Sequence, residues 1–169
     1  MRHNFLILLL ALLAAGCTPQ KFIVPTPLAH PATLFPADAF ITQRGVLTVR
    51  GRQFTLNGYV AKSKTRGLRL IMTENFGGVL ADVLVKPDGN VFVLKAAPPF
   101  RPAWVKKYIA ADLQCVFVDR AGTNCPLQML SQTHFVIERR GYKLDLRTVE
   151  VKPGVQPAEM FDEKSGGKP

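Results

Sequence analysis

Residues 68–94, LRLIMTENFGGVLADVLVKPDGNVFVL, carry the strongest fold signal in the chain. Apolar and polar positions alternate in the first part, and β-branched residues recur in the second and third parts, which is typical of consecutive strands. The segment 86–90 predicts a tight turn, because Pro87 presets φ and Gly89 tolerates a positive φ. Residues 68–94 therefore predict three antiparallel strands joined by two turns.

The first of these turns, residues 74–78, differs in kind from the second. It places the large aromatic Phe76 at a bend where solvated residues are usual, and Gly77 and Gly78 free the backbone to present it. Two readings stay open at this point. Phe76 either protrudes from the turn or folds back into the core.

Residues 1–16 have the pattern of an export signal: a short basic start, an apolar run and a set of small residues. The apolar run is too short to span a membrane. Cys17 follows directly, which resembles the bacterial lipobox, although Ala14 stands where that family prefers leucine. The resemblance implies that the chain is cleaved before Cys17, which becomes the first residue and is acylated. Such acyl chains anchor a protein firmly. The alternative is a cleaved signal of a soluble protein whose cysteine is incidental.

The rest of the chain divides into three parts. Residues 17–36 are rich in proline and predict an extended tether behind the lipidated cysteine. Residues 37–152 form one domain of sufficient size for a real core, and residues 153–169 predict a disordered tail. The formal net charge of +10 suits acidic lipid head groups, and an exported lipoprotein is not expected to meet nucleic acid. The alternative is that most of the basic residues belong to solvated strand faces, because they are spread through the strands and form no run.

The domain is predicted to be mainly β (α+β), with eight to ten antiparallel strands and one substantial helix. The helix is predicted at 103–113, with an apolar face that either closes the core of the sheet or forms a lid over a cavity. Several strands are apolar on both faces, which indicates either a lined cavity or sheet packing. The further strand patterns cover residues 40–50, 53–61, 115–118, 134–138 and 142–151.

The inventory of reactive residues does not indicate catalysis. His134 is the only histidine expected in the domain, and neither Ser63 nor Ser131 forms a triad pattern with it. No metal-ligand spacing, phosphate loop or dinucleotide fingerprint is present, so we expect no enzyme activity, metal or cofactor. Cys115 and Cys125 predict a disulfide, because two cysteines in an oxidising compartment most simply pair.

Residues 68–94 resemble the LolB family, outer-membrane receptors of the lipoprotein-sorting pathway, and more distantly the LolA family of periplasmic carriers. The residues that carry the resemblance are 69–73 (RLIMT), Phe76 to Gly78 (FGG) and 86–91 (KPDGNV). It implies an incomplete, strongly curved β-barrel with a helical lid and a cavity for acyl chains. It also implies that the turn Phe76, Gly77 and Gly78 enters the membrane during cargo release. The helical portion is shorter than in that family, and the cysteine pair is not one of its features.

From this resemblance we expect a monomeric, lipid-anchored protein on the periplasmic side of the bacterial outer membrane, and Thr18 after the cysteine agrees with that location. It would accept an acylated cargo, a lipoprotein or a lipid, from a LolA-like donor and place it in the membrane. The alternative is a structural accessory lipoprotein with a closed core that binds a protein partner. The cavity residues expected on this basis are Phe54, Leu56, Leu70, Met72, Val83, Phe92, Trp104 and Tyr108.

Overall fold

The computed structural model describes residues 31–118 and 125–165. The strands are β1 Ala39–Val49, β2 Arg52–Ser63, β3 Gly67–Glu74, β4 Val79–Val85, β5 Val91–Ala96, β6 Leu127–Met129, β7 His134–Arg139 and β8 Tyr142–Pro153. A short helix, α1, spans Pro31–Leu34. A second helical segment, α2, runs through α-helical Pro102–Trp104, π-helical Val105–Ile109 and α-helical Ala110–Phe117. None of the helices in these described ranges is long and apolar enough to cross a membrane.

All eight described strands form one antiparallel sheet in the order β5-β4-β3-β2-β1-β8-β7-β6. The sheet is open, with β5 and β6 at its two edges. Short turns join β1 through β5, and α2 lies between β5 and β6. The β1–β2 turn needs left-handed backbone at Arg50 (φ 49°) and Gly51 (φ 78°). A mainly β domain with one substantial helix, as the sequence pattern predicts, is confirmed.

Helix α2 packs its apolar side on one face of the sheet, which we call the inner face. Val105, Ile109 and Leu113 share one buried cluster with the inner-face residues of the strands. Pro102 lies in the first turn, where its missing N–H leaves no hydrogen bond unmade. The sequence predicts a strand at 115–118, and this prediction is wrong for 115–117. The helix continues through Phe117, because Leu113, Val116 and Phe117 keep the helical spacing of its buried side.

On the opposite, outer face of the sheet, the carboxy-terminal segment covers the part around Ala61 and Leu84. The sequence predicts disorder from residue 153 onward, but residues 158–161 and 163–165 form 3-10 turns against the sheet. Phe161 is buried with Ala61 and Leu84, and Phe92 and Leu94 pack against this cluster. The segment therefore explains the apolar character of both faces of β4 and β5.

A buried ion pair fixes this segment to the outer face. The Arg69 guanidinium donates to both carboxylate oxygens of Asp82, at 2.9 Å and 2.7 Å. Its third nitrogen donates to the carbonyl oxygen of Met160 at 2.9 Å. Lys86 adds a bond from Nζ to the Phe161 carbonyl oxygen at 3.1 Å. These contacts hold backbone of a segment whose composition alone indicates disorder.

The last residues of the predicted tether belong to the folded domain. Phe35 is buried, and its ring lies 5.2 Å from that of Phe117 on α2. The Lys62 ammonium donates to the carbonyl oxygens of Ala32 and Phe35, each at 3.3 Å. Burial lowers the pKa of Lys62, and the nearby Asp38 carboxylate opposes this. The domain therefore begins before residue 37, while residues 1–30, with the signal region and Cys17, lie outside the described residues.

Candidate functional site

A small apolar cavity of about 40 Å³ lies between the inner face of the sheet and α2. Its walls come from the central strands β1, β2 and β3, from β7 and β8, and from α2. Two of its lining residues, Gln43 and Asp112, carry polar side chains, and the rest are apolar or glycine. The lining residues are Gln43, Leu56, Gly58, Val60, Leu70, Met72, Ile109, Asp112, Leu113, Val116, Phe117, Ile137, Leu144 and Leu146.

Of the eight cavity residues expected from sequence, three line this cavity: Leu56, Leu70 and Met72. The others divide between the two faces of the sheet. Four belong to the same inner-face core without lining the cavity: Phe54, Val83, Trp104 and Tyr108.

The prediction is wrong for Phe92, which packs on the outer face with Leu84 and Phe161. Strand β5 is half-buried along most of its length, so alternation gives no clear inner side. The pairing of β4 with β5 also shifts between Asp82 and Val83, and such a bulge changes which residues of β5 face inward.

The aromatic residues Trp104 and Tyr108 belong to a cluster at the amino-terminal part of α2. The Trp104 ring lies 5.5 Å from the rings of both Phe100 and Tyr108, and 5.4 Å from that of Tyr142. Phe54 on β2 extends the cluster through Phe100, at 6.4 Å between ring centres. These contacts hold the start of α2 against the sheet beside the cavity.

A buried polar group, not predicted from sequence, joins the cavity wall to the sheet. Asp112 on α2 is 2 % exposed and accepts hydrogen bonds from Arg139 Nε at 2.8 Å and from the Tyr142 hydroxyl. Burial, together with the Asp112 charge and hydrogen bond, raises the pKa of Tyr142, so this phenol stays a donor. Asp112 appears in the sequence as one of several dispersed acids. Its position after Ile109 on the buried side of the helix is the signal that could have singled it out.

The Asp112 carboxyl predicts a pH dependence of stability. Burial raises its pKa above 3.8, and the hydrogen bonds from Tyr142 and Arg139 oppose this only in part. The folded chain therefore holds this proton more tightly than the unfolded chain. The stabilisation from Asp112 is fully present below 3.8 and is lost as the pH rises through the raised pKa. Urea unfolding of the wild type and of Asp112→Asn should show a stability difference that changes with pH above about pH 4.

The exposed Glu159 supplies the control for this titration. Glu159→Gln removes an exposed carboxyl from the outer surface, so it should change the free energy of unfolding by no more than about 0.5 kcal/mol. A difference between wild type and Asp112→Asn that is constant over the same pH range would contradict the titration of Asp112 in the folded chain.

The predicted cysteine pair is confirmed as a disulfide. Cys115 in α2 is bonded to Cys125, with 5.7 Å between their Cα atoms. Cys125 lies two residues before the short edge strand β6, so the bond ties the end of α2 to that side of the sheet. Residues 119–124, where the sequence predicts a turn, lie outside the described ranges.

The turn between β3 and β4 presents Phe76 to solvent. The side chain is 97 % exposed, more than any other large apolar side chain among the described residues. The turn is ordered by two backbone bonds of 3.0 Å, from Glu74 N to the Gly78 oxygen and from Gly77 N to the Glu74 oxygen. Gly77 has φ 87°, a left-handed backbone conformation that suits glycine. Of the two readings that sequence leaves open, the structure has the protruding one.

The histidine of the domain forms a side-chain hydrogen bond with a neighbouring strand. His134 Nε2 lies 2.9 Å from Asp145 Oδ1 across β7 and β8. The Ser131 hydroxyl contacts the backbone nitrogen and hydroxyl of Thr133, two residues along the chain. In the part of the chain that the structure describes, no three His, Cys, Asp or Glu side chains are grouped to hold a metal ion.

Comparison of the sequence with protein-family models and with curated proteins found no match.

Proposed function

We propose that this chain is a lipid-anchored outer-membrane protein, similar to the LolB family, that binds acylated cargo in the cavity under α2 and helps insert it into the membrane. The observation that carries the proposal is the exposed Phe76, which lies on the turn following β3, the strand whose Leu70 and Met72 line the apolar cavity. A carrier of this kind makes and breaks no bond. Cargo moves from a LolA-like donor to the membrane because its affinity differs along the route.

The position of the cavity supports an incomplete, strongly curved barrel. Its walls include residues from β3 and from β7, which are four strand positions apart in the sheet. In a flat sheet such strands would lie about 19 Å apart. Side chains on both can line one small cavity if the sheet bends around it, with α2 as the lid on the open side.

The size of the cavity bears on how cargo would enter. Pockets for small molecules typically measure about 300–1,000 Å³, well above the space of about 40 Å³ under α2. An acyl chain therefore requires α2 to move away from the sheet. The π-helical stretch Val105–Ile109 reaches the cavity at its last residue, Ile109, and such stretches are frequent at functional sites. In this proposal α2 lies closed against the sheet.

The same small volume favours a second function. A domain whose core stays closed would act as a structural accessory lipoprotein and bind a protein partner through its surface. It would take up no acyl chain at all. Measuring cargo binding separates the two functions.

Gly58 offers a direct test of the cavity. It lies on β2 between the lining residues Leu56 and Val60, and a Cβ built on it would make only ordinary contacts of 3.7 Å with Gln43 and Leu70. We expect Gly58→Leu to fill the space that the missing side chain leaves and to lower acyl-lipid binding about tenfold, as a loss of about 1.4 kcal/mol does. Native mass spectrometry with lipid extraction, on the mature chain carrying Cys17→Ser, measures the bound lipid.

The matched control is Gly58→Ala, which adds one methyl group and should bind lipid as the wild type does. Both variants should melt cooperatively near the wild-type temperature. Wild-type protein with no bound lipid, unchanged after incubation with a lipidated peptide, would contradict the carrier function and favour the closed structural module.

A further inference from the structure

The end of the sheet that carries Phe76 also carries four exposed arginines. Arg50 and Arg52 border the β1–β2 turn, and Arg140 lies in the β7–β8 turn. These turns are neighbours, because Val49 pairs with both Arg52 and Tyr142. The β3–β4 turn lies at the same end, since β3 runs parallel to β1.

Arg101 completes this set. It follows Phe100, whose ring lies 6.4 Å from that of Phe54 near the start of β2. None of the four arginines takes part in an ion pair with another described residue. We call Phe76 together with Arg50, Arg52, Arg101 and Arg140 the basic end.

The charge of the two ends of the sheet differs. At the basic end, five exposed cations face two exposed acids: Arg50, Arg52, Arg101, Arg140 and Lys143 against Glu74 and Glu138. At the opposite end, including the carboxy-terminal segment, three exposed cations face five acids: Lys64, Lys152 and Lys164 against Asp88, Glu150, Glu159, Asp162 and Glu163. The positive charge is therefore concentrated at the end of the sheet that carries Phe76.

Arg50 occupies a backbone position that suits arginine poorly. Its φ of 49° is left-handed, and no other described residue except glycine has a positive φ. Arg50 is the first residue of a two-residue turn whose second residue is Gly51. Asparagine is favoured at that first position, and most other side chains are strained there. Strained residues concentrate at functional sites. Arginine at this turn thus has a backbone cost that glycine or asparagine would avoid.

We propose that the basic end is a docking surface for the anionic phospholipid head groups of a bilayer. The arginines bind lipid phosphates, for which the guanidinium fork is well suited, while Phe76 enters the apolar layer beneath them. This inference deepens the proposed function and rests on its membrane role for Phe76. It names the lipid class at which release takes place.

Vesicle binding of the mature chain carrying Cys17→Ser tests this inference. The variant Arg50→Asn with Arg140→Gln removes two charges, and asparagine suits the left-handed turn, so the fold should keep its stability or gain some. Each arginine near an anionic surface contributes a factor of about 5 in affinity, so the double variant should bind phosphatidylglycerol-containing vesicles about 25-fold more weakly. Binding of the wild type should also fall steeply with added salt.

The control is Lys64→Gln with Lys152→Gln, which removes the same charge from the opposite end and should bind within about twofold of the wild type. Equal losses in the two double variants, or wild-type binding that is the same for neutral and anionic vesicles, would overturn the inference. Tight binding to an acidic protein with none to anionic vesicles would also overturn it.

Acyl-lipid binding measured without vesicles distinguishes this failure from failure of the proposed function. A chain that takes up acyl lipid but ignores anionic vesicles contradicts the docking surface alone. A chain that docks on anionic vesicles through the basic end but takes up no acyl lipid contradicts the carrier function alone.

Discussion

Replacing Asp82 by alanine is expected to destabilise the domain by about 3–5 kcal/mol, the range typical of breaking one partner out of a buried ion pair. The side chains of Arg69 and Asp82 are 7 % and 9 % exposed and share two hydrogen bonds. Without Asp82 the Arg69 charge stays buried and loses the carboxylate that compensates it. The hydrogen bond from Arg69 to the Met160 carbonyl oxygen weakens as well, so the carboxy-terminal segment should detach more readily.

Urea unfolding of wild type and Asp82→Ala measures this effect, and Asp145→Ala is the matched control. Asp145 also has a side-chain partner across the strands, His134, but its own side chain is 39 % exposed, so its loss should cost at most about 1 kcal/mol. Exchanging both members of the buried pair, as in Arg69→Met with Asp82→Leu, should recover much of the stability. A cost for Asp82→Ala no larger than that for Asp145→Ala would contradict the structural role of the pair.

The strands could be predicted from sequence because local chemistry sets their limits. Strand β4, Val79–Val85, lies where the β-branched pattern predicts a strand, and Gly89 has the positive φ that the predicted turn requires. The ion pair of Arg69 with Asp82 could not be predicted from the local sequence, because it depends on the register between β3 and β4. Arg69 lies opposite Leu84, and Asp82 is the diagonal neighbour on the same face.

Which side chains face inward is harder to predict, because both faces of the sheet bury apolar side chains. Leu70 and Met72 lie on the expected inner side, because they alternate along β3 with Arg69, which faces the outer side. Phe92 does not, since its outer neighbours Leu84 and Phe161 come from segments whose approach the local sequence does not encode. Composition indicated disorder for the tail that contains Phe161, yet a single buried aromatic and a few backbone hydrogen bonds suffice to hold it.

The substitution Phe76→Glu is expected to impair cargo delivery to vesicles by about 10- to 100-fold while leaving the fold intact. Inserting an exposed phenylalanine into an apolar layer gains about 1.5–3 kcal/mol, and this gain is lost with glutamate. The ring is 97 % exposed and contacts no core, so the melting temperature should not change. A fluorescent acylated peptide, loaded on the mature chain with Cys17→Ser and transferred to vesicles, measures delivery.

Val155→Glu is the matched control, because Val155 is also an exposed apolar residue, at 77 %, and follows β8 at the opposite end of the sheet. It should deliver cargo at the wild-type rate, since that end is not expected to enter the membrane. Phe76→Leu should retain most delivery, because an apolar side chain at the turn is what the insertion requires. If Phe76→Glu delivered cargo as fast as Val155→Glu, the turn would have no part in insertion. The bound acyl chain would then have to leave through the edge beside α2.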